Sequence, residues 1–326
     1  MPLTVEPADR DRRRPQETAM NLEFRLMRQS DLDVARRLDR DSFGALFHEL
    51  TGQPDTLAPR EPEFFAHWLR TDPGGAWVAE LNGEVVGVNF NHARGCNAWI
   101  GPLAMKPGVQ LRGGGRRLCE KGIEYLEAQG CSAIGLDTYA NNPVSVSLYL
   151  KLGFEVAGGT LVLRRDLTET FPGGGVGLQA LPATEADMPT LVRLDENESG
   201  FRREPDFRFA LDWEAATLLK LCGDGDSTHG MAVCCQKRGA GLLGSLYVSA
   251  EAAGRGGLTA LLEGARAFYL ARGLHELQVT LTASDLRLTE ALFDLGFKTR
   301  TAMVRMVRER KLRSGPLRGP LCSEKG

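Results

Sequence analysis

The tripeptide Leu152-Gly153-Phe154 returns as Leu295-Gly296-Phe297, and each copy closes the same succession of elements. In the first succession Phe24–Met27 reads as a short strand, and Ser30 as the N-cap of a helix with Leu32, Ala35 and Leu38 on one face. A loop-rich stretch with Pro54 and Pro59 leads to a helix around Pro62–Leu69. Trp77–Leu81 and Val85–Val88 are joined by Asn82-Gly83, the strongest short hairpin signal a sequence can carry. A strand near Ala98–Met105 and a helix from Gly114 to about Gln129 follow, the helix with Leu118, Ile123 and Leu126 as its apolar stripe. Strand Ala133–Thr138, helix Pro143–Leu152 and strand Leu161–Arg165 complete this half. Beyond Phe171–Gly175 the order repeats: strand Gly177–Ala180, a helix from Thr184 carrying Leu191 and Leu194, and strands Met231–Gln236 and Leu242–Val248. Helix Gly257–Arg272, strand Glu276–Thr282 and helix Ser284–Leu295 end it. An internal duplication accounts for both series, and 326 residues suffice for two domains of about 150. The fold class is therefore α/β (in its α+β form), built twice.

The expected organisation is a disordered leader at 1–22, a first domain at 23–170, a Gly-rich linker at 171–175, a second domain at 176–310 and a basic tail at 311–326. Glu6, Asp9, Asp11 and Glu17 interrupt the run Arg10–Pro15, so the leader reads neither as a transit peptide nor, lacking an apolar core, as a secretory signal. Met20 stands immediately before the first patterned segment and is a second candidate start.

Charge narrows the function classes. Lys and Arg total 40 against 42 Asp and Glu, which leaves no basic field for nucleic acid. No apolar run reaches the roughly 18–20 residues of a membrane span. The 7 cysteines are odd in number and form no C-x-x-C pair, and the 5 histidines show no ligand spacing. Reduced thiols, a cytoplasmic location and no metal are the expectation, with no nucleic-acid and no membrane partner.

Val109-Gln110-Leu111-Arg112-Gly113-Gly114-Gly115-Arg116-Arg117-Leu118 lies between a strand and an amphipathic helix. Glycines there let backbone N–H groups reach a ligand, and the helix start adds unpaired donors and a positive dipole end. This is a cradle for phosphate or diphosphate. A Walker A loop is excluded because Arg116-Arg117 stand where Lys-Ser/Thr belongs, and a dinucleotide fingerprint lacks its third glycine. Gln-x-x-Gly-x-Gly remains, which is similar to the diphosphate-binding motif of the GNAT acetyltransferases. A glycine-rich turn without ligand would have the same local sequence. The second segment, Asn142–Phe154, resembles the family's other signature: Asn142, Ser145, Leu148-Tyr149 and Gly153-Phe154 keep its order and spacing.

The resemblance implies two tandem GNAT folds, each a mixed, mostly antiparallel sheet flanked by helices with a splayed central strand pair. It implies acetyl-CoA as cosubstrate, no metal, and an amine acceptor on a small molecule or protein. Leu103, Ala104 and Met105 would line the gap for the pantetheine arm, while Pro102 cannot donate a hydrogen bond. Gln110, Leu111, Arg112, Gly113, Gly114, Gly115 and Arg116 would surround the diphosphate, and Asn142 would meet the pantetheine amides or cap its helix. Tyr149 would be the catalytic acid, because a phenol keeps its proton at neutral pH and can pass it to the departing sulfur. The base is His92, Asp137 or water. A non-catalytic acetyl-CoA-binding regulator is the alternative function, and a homodimer is compatible with the pattern.

The second half departs from the first. Glu251 replaces the glutamine of the cradle, and Leu292 stands at the distance of Tyr149 from its glycine. The expectation is one active and one degenerate repeat. Asp195–Arg203 reads either as a wall of the acceptor cleft or as a solvated loop.

Overall fold

The computed structural model describes residues 22–109, 113–223 and 227–309. The leader before Leu22, the tail after Glu309 and the cradle residues Gln110, Leu111 and Arg112 lie outside them.

The first half runs β1 (Leu22–Leu26), α1 (Leu32–Thr51), α2 (Pro62–Thr71), β2 (Trp77–Leu81), β3 (Glu84–Arg94), β4 (Asn97–Met105), α3 (Gly114–Ala128), β5 (Ala133–Tyr139), α4 (Pro143–Lys151) and β6 (Glu155–Asp166). The second runs β7 (Gln179–Pro182), α5 (Met188–Ser199), α6 (Glu204–Asp212), β8 (Ala216–Cys222), β9 (Thr228–Lys237), β10 (Ala240–Val248), α7 (Ala250–Ala253), α8 (Gly257–Leu270), β11 (Glu276–Thr282), α9 (Leu286–Asp294) and β12 (Lys298–Glu309). Asn82 and Gly83 turn the β2–β3 hairpin with φ of 52° and 82°, as a two-residue turn matching strand twist requires. Ser30 does not cap α1. It lies in a short 3-10 turn, and the Asp31 carboxylate takes the Arg28 N–H at 2.7 Å instead.

The strands form one sheet of 12, in the order β1-β2-β3-β4-β5-β12-β6-β11-β10-β9-β8-β7. Read inward from either edge, the halves mirror one another until the centre, where their last strands have changed places. Strand β12 pairs antiparallel with β5 of the first half, and β6 with β11 of the second. The two exchanged strands also pair with each other from Lys298 to Val307. Each half thus completes the sheet of the other.

One face of the sheet carries a core common to both halves. Phe64, Phe65, Trp68, Val88 and Phe90 pack with Leu191, Phe207, Leu218 and Val233. The Phe209 ring stacks on His67 at 4.3 Å. The opposite face of the first half buries Ala98, Ile100, Leu136, Ile123 and Tyr149, with Met306 arriving from β12. Buried ion pairs cross the seam. Arg94 holds Asp206 at 2.8 and 3.0 Å, and Arg305 holds Asp137 at 3.0 Å through two nitrogens. Segment Asp195–Arg203 is not wholly a solvated loop: it is the end of α5 and the turn after it, with Asp195, Ser199, Phe201 and Arg203 buried. Asp195 and Arg203 pair in the interior, and Gly200 and Arg202 bond Asn97 and Arg94 at the β3–β4 turn, the far end of these strands from Gly113.

Two outcomes follow from this seam. A fragment of residues 22–170 leaves β5 and both edges of β6 without their partners. In size-exclusion chromatography it should run as an unfolded or self-associated species, not as a compact monomer. Burial alone would raise the Asp206 pKa, but the charge of Arg94 and the hydrogen bonds of His67 and Arg94 hold it well below the usual carboxylate range. Such a group adds stability above its unfolded value of about 3.9 and loses it as the pH falls toward the folded value. Between about pH 4 and pH 2.5 wild-type stability, measured by urea titration, should therefore fall more steeply than that of Asp206→Asn, by up to about 1.4 kcal/mol per pH unit.

Candidate active site

Strands β4 and β5 are parallel neighbours, yet they pair only over Asn97–Trp99 and Ala133–Gly135. Beyond that point they part, which is the splayed central pair. The other edge of β4 stays bonded to β3, with Val88 opposite Ala104 and the Lys106 N–H on Val86 O at 2.8 Å. Strand alternation then turns the N–H groups of Leu103 and Met105 away from β3 and into the gap. Pro102, next to Leu103, has no N–H, and by the same alternation its nitrogen lies on the β3 side, where the register shifts between Asn89 and Asn91. Strands β10 and β11 also pair over three residues only, Gly241–Leu243 with Leu277–Val279.

The gap opens toward the start of α3. Gly113 is the N-cap, at φ 82°, a left-handed conformation that favours glycine, and no side chain caps the helix. A Cβ on Gly113 would meet nothing within 4 Å, so the space in front of this helix end is clear among the described residues. Gly114 serves a different purpose. A Cβ there would come within 2.8 Å of Met105 Cε and 3.1 Å of Leu22 Cδ1, so the missing side chain lets α3 close onto β4. At Gly115 a Cβ would lie 3.8–4.0 Å from Met105, Leu103 and Leu148, which places the helix start, the open strand edge and α4 around one point. Arg116 and Arg117 are exposed and share Glu120 at 2.9 and 3.1 Å.

Asn142 caps α4, its Oδ1 accepting the Ser145 N–H at 3.1 Å and its Nδ2 donating to Ser145 Oγ at 2.9 Å. Tyr149 lies one face inward, buried beside Phe154 with ring centroids 5.8 Å apart. Burial, with Cys119 nearby, pushes its phenol well above the ordinary value of 10. It is fully protonated at neutral pH.

The two side-chain candidates for the base are otherwise engaged. His92 is buried, and its Nε2 must donate to Gly101 O at 2.9 Å, since a carbonyl can only accept. Asp137 accepts Arg305 through both oxygens and the Thr160 hydroxyl at 2.8 Å. Both are held by internal partners and buried. Sequence reasoning missed Arg94, Asp206 and Arg305 altogether. Only Arg94 carried a visible signal, an arginine in a strand otherwise patterned for burial.

In the second half the matching helix end is covered. Gly256, at φ 79°, caps α8, and a Cβ there would lie 3.1 Å from Gly174 O. The linker is fastened across it. The Val176 N–H bonds Arg255 O at 3.0 Å, and Arg255 Nη2 returns a bond to Val176 O at 3.0 Å. Leu292 fills the place that Tyr149 has in the first half, wholly buried.

Residues 39–154 match the model of the Acetyltransferase (GNAT) family. The chain is 35% identical over 97 residues to a mycothiol acetyltransferase of Streptomyces avermitilis, a match covering 29% of this chain and 32% of the relative. An acetyltransferase of Sodalis glossinidius is 32% identical over 120 residues, covering 35% of this chain and 82% of that protein. A tandem GNAT protein of the clavulanic acid biosynthesis pathway superposes with a TM-score of 0.61 at 19% identity, over 90% of this chain and 100% of that one. The splayed strand pair, the glycine-opened helix and these likenesses together make the chain a member of the GNAT acetyltransferase family.

Proposed function

We propose that the first half transfers an acetyl group from acetyl-CoA to an amine on a small molecule or protein. One observation carries this reading: the clear, uncapped start of α3 stands beside an open β4 edge, with α4 and its Tyr149 closing the same corner. The N–H groups of Gly114, Gly115 and Arg116 suit a diphosphate, helped by the helix dipole and by the two exposed arginines. Gln110, Leu111 and Arg112 belong to the same turn in sequence. The N–H groups of Leu103 and Met105 suit an extended pantetheine arm laid along the strand, and one of them suits the oxyanion that forms as the amine attacks. As the C–S bond breaks the sulfur takes a proton, for which Tyr149 is the nearest acid of the motif. With His92 and Asp137 engaged in internal bonds, the amine loses its proton to water.

The second half supports a single site per chain. A diphosphate at α8 would have to displace the linker from Arg255 and Gly256, and would face Glu251. The regulator reading has no use for a protonated phenol at the corner, and Tyr149 favours the enzyme.

Free-thiol release from acetyl-CoA, screened against amines, amino acids, polyamines and aminoglycosides, tests the activity. With an acceptor in hand, Tyr149→Phe should keep acetyl-CoA affinity within a few-fold and lower turnover on the order of 10²-fold, the lower end for loss of a general acid. Unchanged turnover, where chemistry limits the rate, would remove Tyr149 from the mechanism. Titration calorimetry should find one tight acetyl-CoA site per chain, and Gly113→Glu should abolish it, through both the left-handed φ and the added charge. Two equivalent tight sites would refute the assignment to the first half.

A further inference from the structure

The gap between β4 and β5 is held from outside, on both of its sides, by the second half. Two residues past the last paired position, Gly101 on β4 and Asp137 on β5 stand at matched points of the two departing strands. Asp137 receives both nitrogens of Arg305 at 3.0 Å, and the third nitrogen of that guanidinium donates to Thr282 Oγ1 at 2.9 Å. The same guanidinium lies 5.1 Å from the ring centre of Trp99, the last paired residue of β4. Trp99 in turn covers Gly135, where a Cβ would come within 2.5 Å of the indole. Arg305 therefore sits at the vertex where the strands part, touching both.

On the β4 side the chain of contacts is longer, and one of its links, His92 to Asp72, is beyond ordinary hydrogen-bond length. The Gly101 carbonyl accepts His92 Nε2 at 2.9 Å, and His92 Nδ1 stands 3.7 Å from Asp72. Asp72 accepts Arg94 Nη1 at 2.7 Å, and Arg94 grips Asp206 of α6 through its other two nitrogens. Asp206 also meets His67 Nε2 at 2.9 Å. All of these side chains are buried. Charged hydrogen bonds at low dielectric are stiff and directional, and a bidentate guanidinium–carboxylate pair fixes angle as well as distance.

We propose that the second half is the clamp of the first half's gap, with Asp206 and Arg305 as positioning residues that set how far β4 and β5 diverge. This rests on the reading that the pantetheine arm occupies that gap, and it gives the half with the covered helix end a role in binding at the other. The diphosphate cradle at α3 lies outside the clamp. Its geometry is set by Gly113, Gly114 and the packing on Met105.

The test separates the arm from the diphosphate. Affinities for acetyl-CoA and for 3′-phospho-ADP, which is CoA without the pantetheine arm, are measured for each variant at a temperature where circular dichroism shows it folded. Arg305→Met and Asp206→Asn should weaken acetyl-CoA on the order of tenfold and leave 3′-phospho-ADP within about twofold, because a displaced strand edge misplaces only the arm. Arg305→Lys, which keeps the charge and loses the fork, should fall between wild type and Arg305→Met. Leu261→Ala empties a buried apolar position of the second half away from the gap, and should lower the melting temperature without changing either affinity. If Arg305→Met does not fold, Arg305→Lys and Thr282→Val, which removes the hydroxyl that holds the third nitrogen of Arg305, carry the same comparison with a smaller expected shift. Clamp variants that behave like Leu261→Ala, or that weaken both ligands equally, overturn the proposal. Wild-type protein that binds 3′-phospho-ADP and not acetyl-CoA overturns the reading of the gap on which it rests.

Discussion

Two parallel strands in the middle of a sheet stop pairing after Asn97–Trp99 and Ala133–Gly135, and the rest of the molecule is organised around that interruption. Interior N–H and C=O groups without partners are costly, so a sheet left to itself would close the gap. Two features oppose closure. Strand β3 claims the other edge of β4, shifting register between Asn89 and Asn91. On the far side β5 is drawn along its whole length to β12, from Ala133 to Tyr139. The edge that remains has the backbone N–H groups of Leu103 and Met105 turned toward the gap, which is where the proposed function lays an extended ligand.

Much of this was legible because it is local. The Asn82-Gly83 hairpin, the glycines before α3 and the Asn142-Pro143 start of α4 each encode a backbone geometry within a few residues, and each stands where expected. The divergence of β4 and β5 followed from the resemblance carried by two motifs. What failed was non-local. A strand's alternation says which face is buried and nothing about its neighbour, so the pairing of β12 with β5 and of β6 with β11 was invisible. Strand β12 itself was overlooked, because Lys298, Arg300, Arg305 and Arg308 make it read as solvated, whereas Arg305 is buried against Asp137. The same blindness left His92 and Asp137 as candidates for the base beside water. Their residue types suit the work, but their lone pairs and protons are allotted by partners distant in sequence.

The two halves show how little a repeated local sequence determines by itself. Gly113 and Gly256 have φ of 82° and 79°, each opens a helix behind a strand, and each lies beside a pair that parts after three residues. Yet a Cβ on Gly113 would meet nothing within 4 Å among the described residues, while one on Gly256 would meet Gly174 and Gly175, and Gly174–Val176 lie across that second helix end. The cover is a consequence of connectivity. The linker ends the first half and enters the second across the face where the second helix begins, and Arg255 fastens it with bonds in both directions.

Covering one helix end changes what the rest of that half must satisfy. A half that binds its own cosubstrate has to keep its gap edge open, and its buried charges must tolerate the ligand coming and going. On the proposed single-site reading the second half is relieved of that, and α6 and β12 carry residues whose polar groups are directed across the seam. Asp206 reaches Arg94, and Arg305 reaches Asp137. Replacing such a buried pair with apolar residues is often neutral or stabilising, so stability alone is a weak reason for two of them at one interface. Direction is the stronger reason. An apolar contact would hold the halves together over a range of small displacements, while a forked guanidinium on a carboxylate permits very few. The strands that need that restriction most are the two that part after three paired residues: Arg305 reaches β5 directly, and Arg94 reaches β4 through Asp72 and His92.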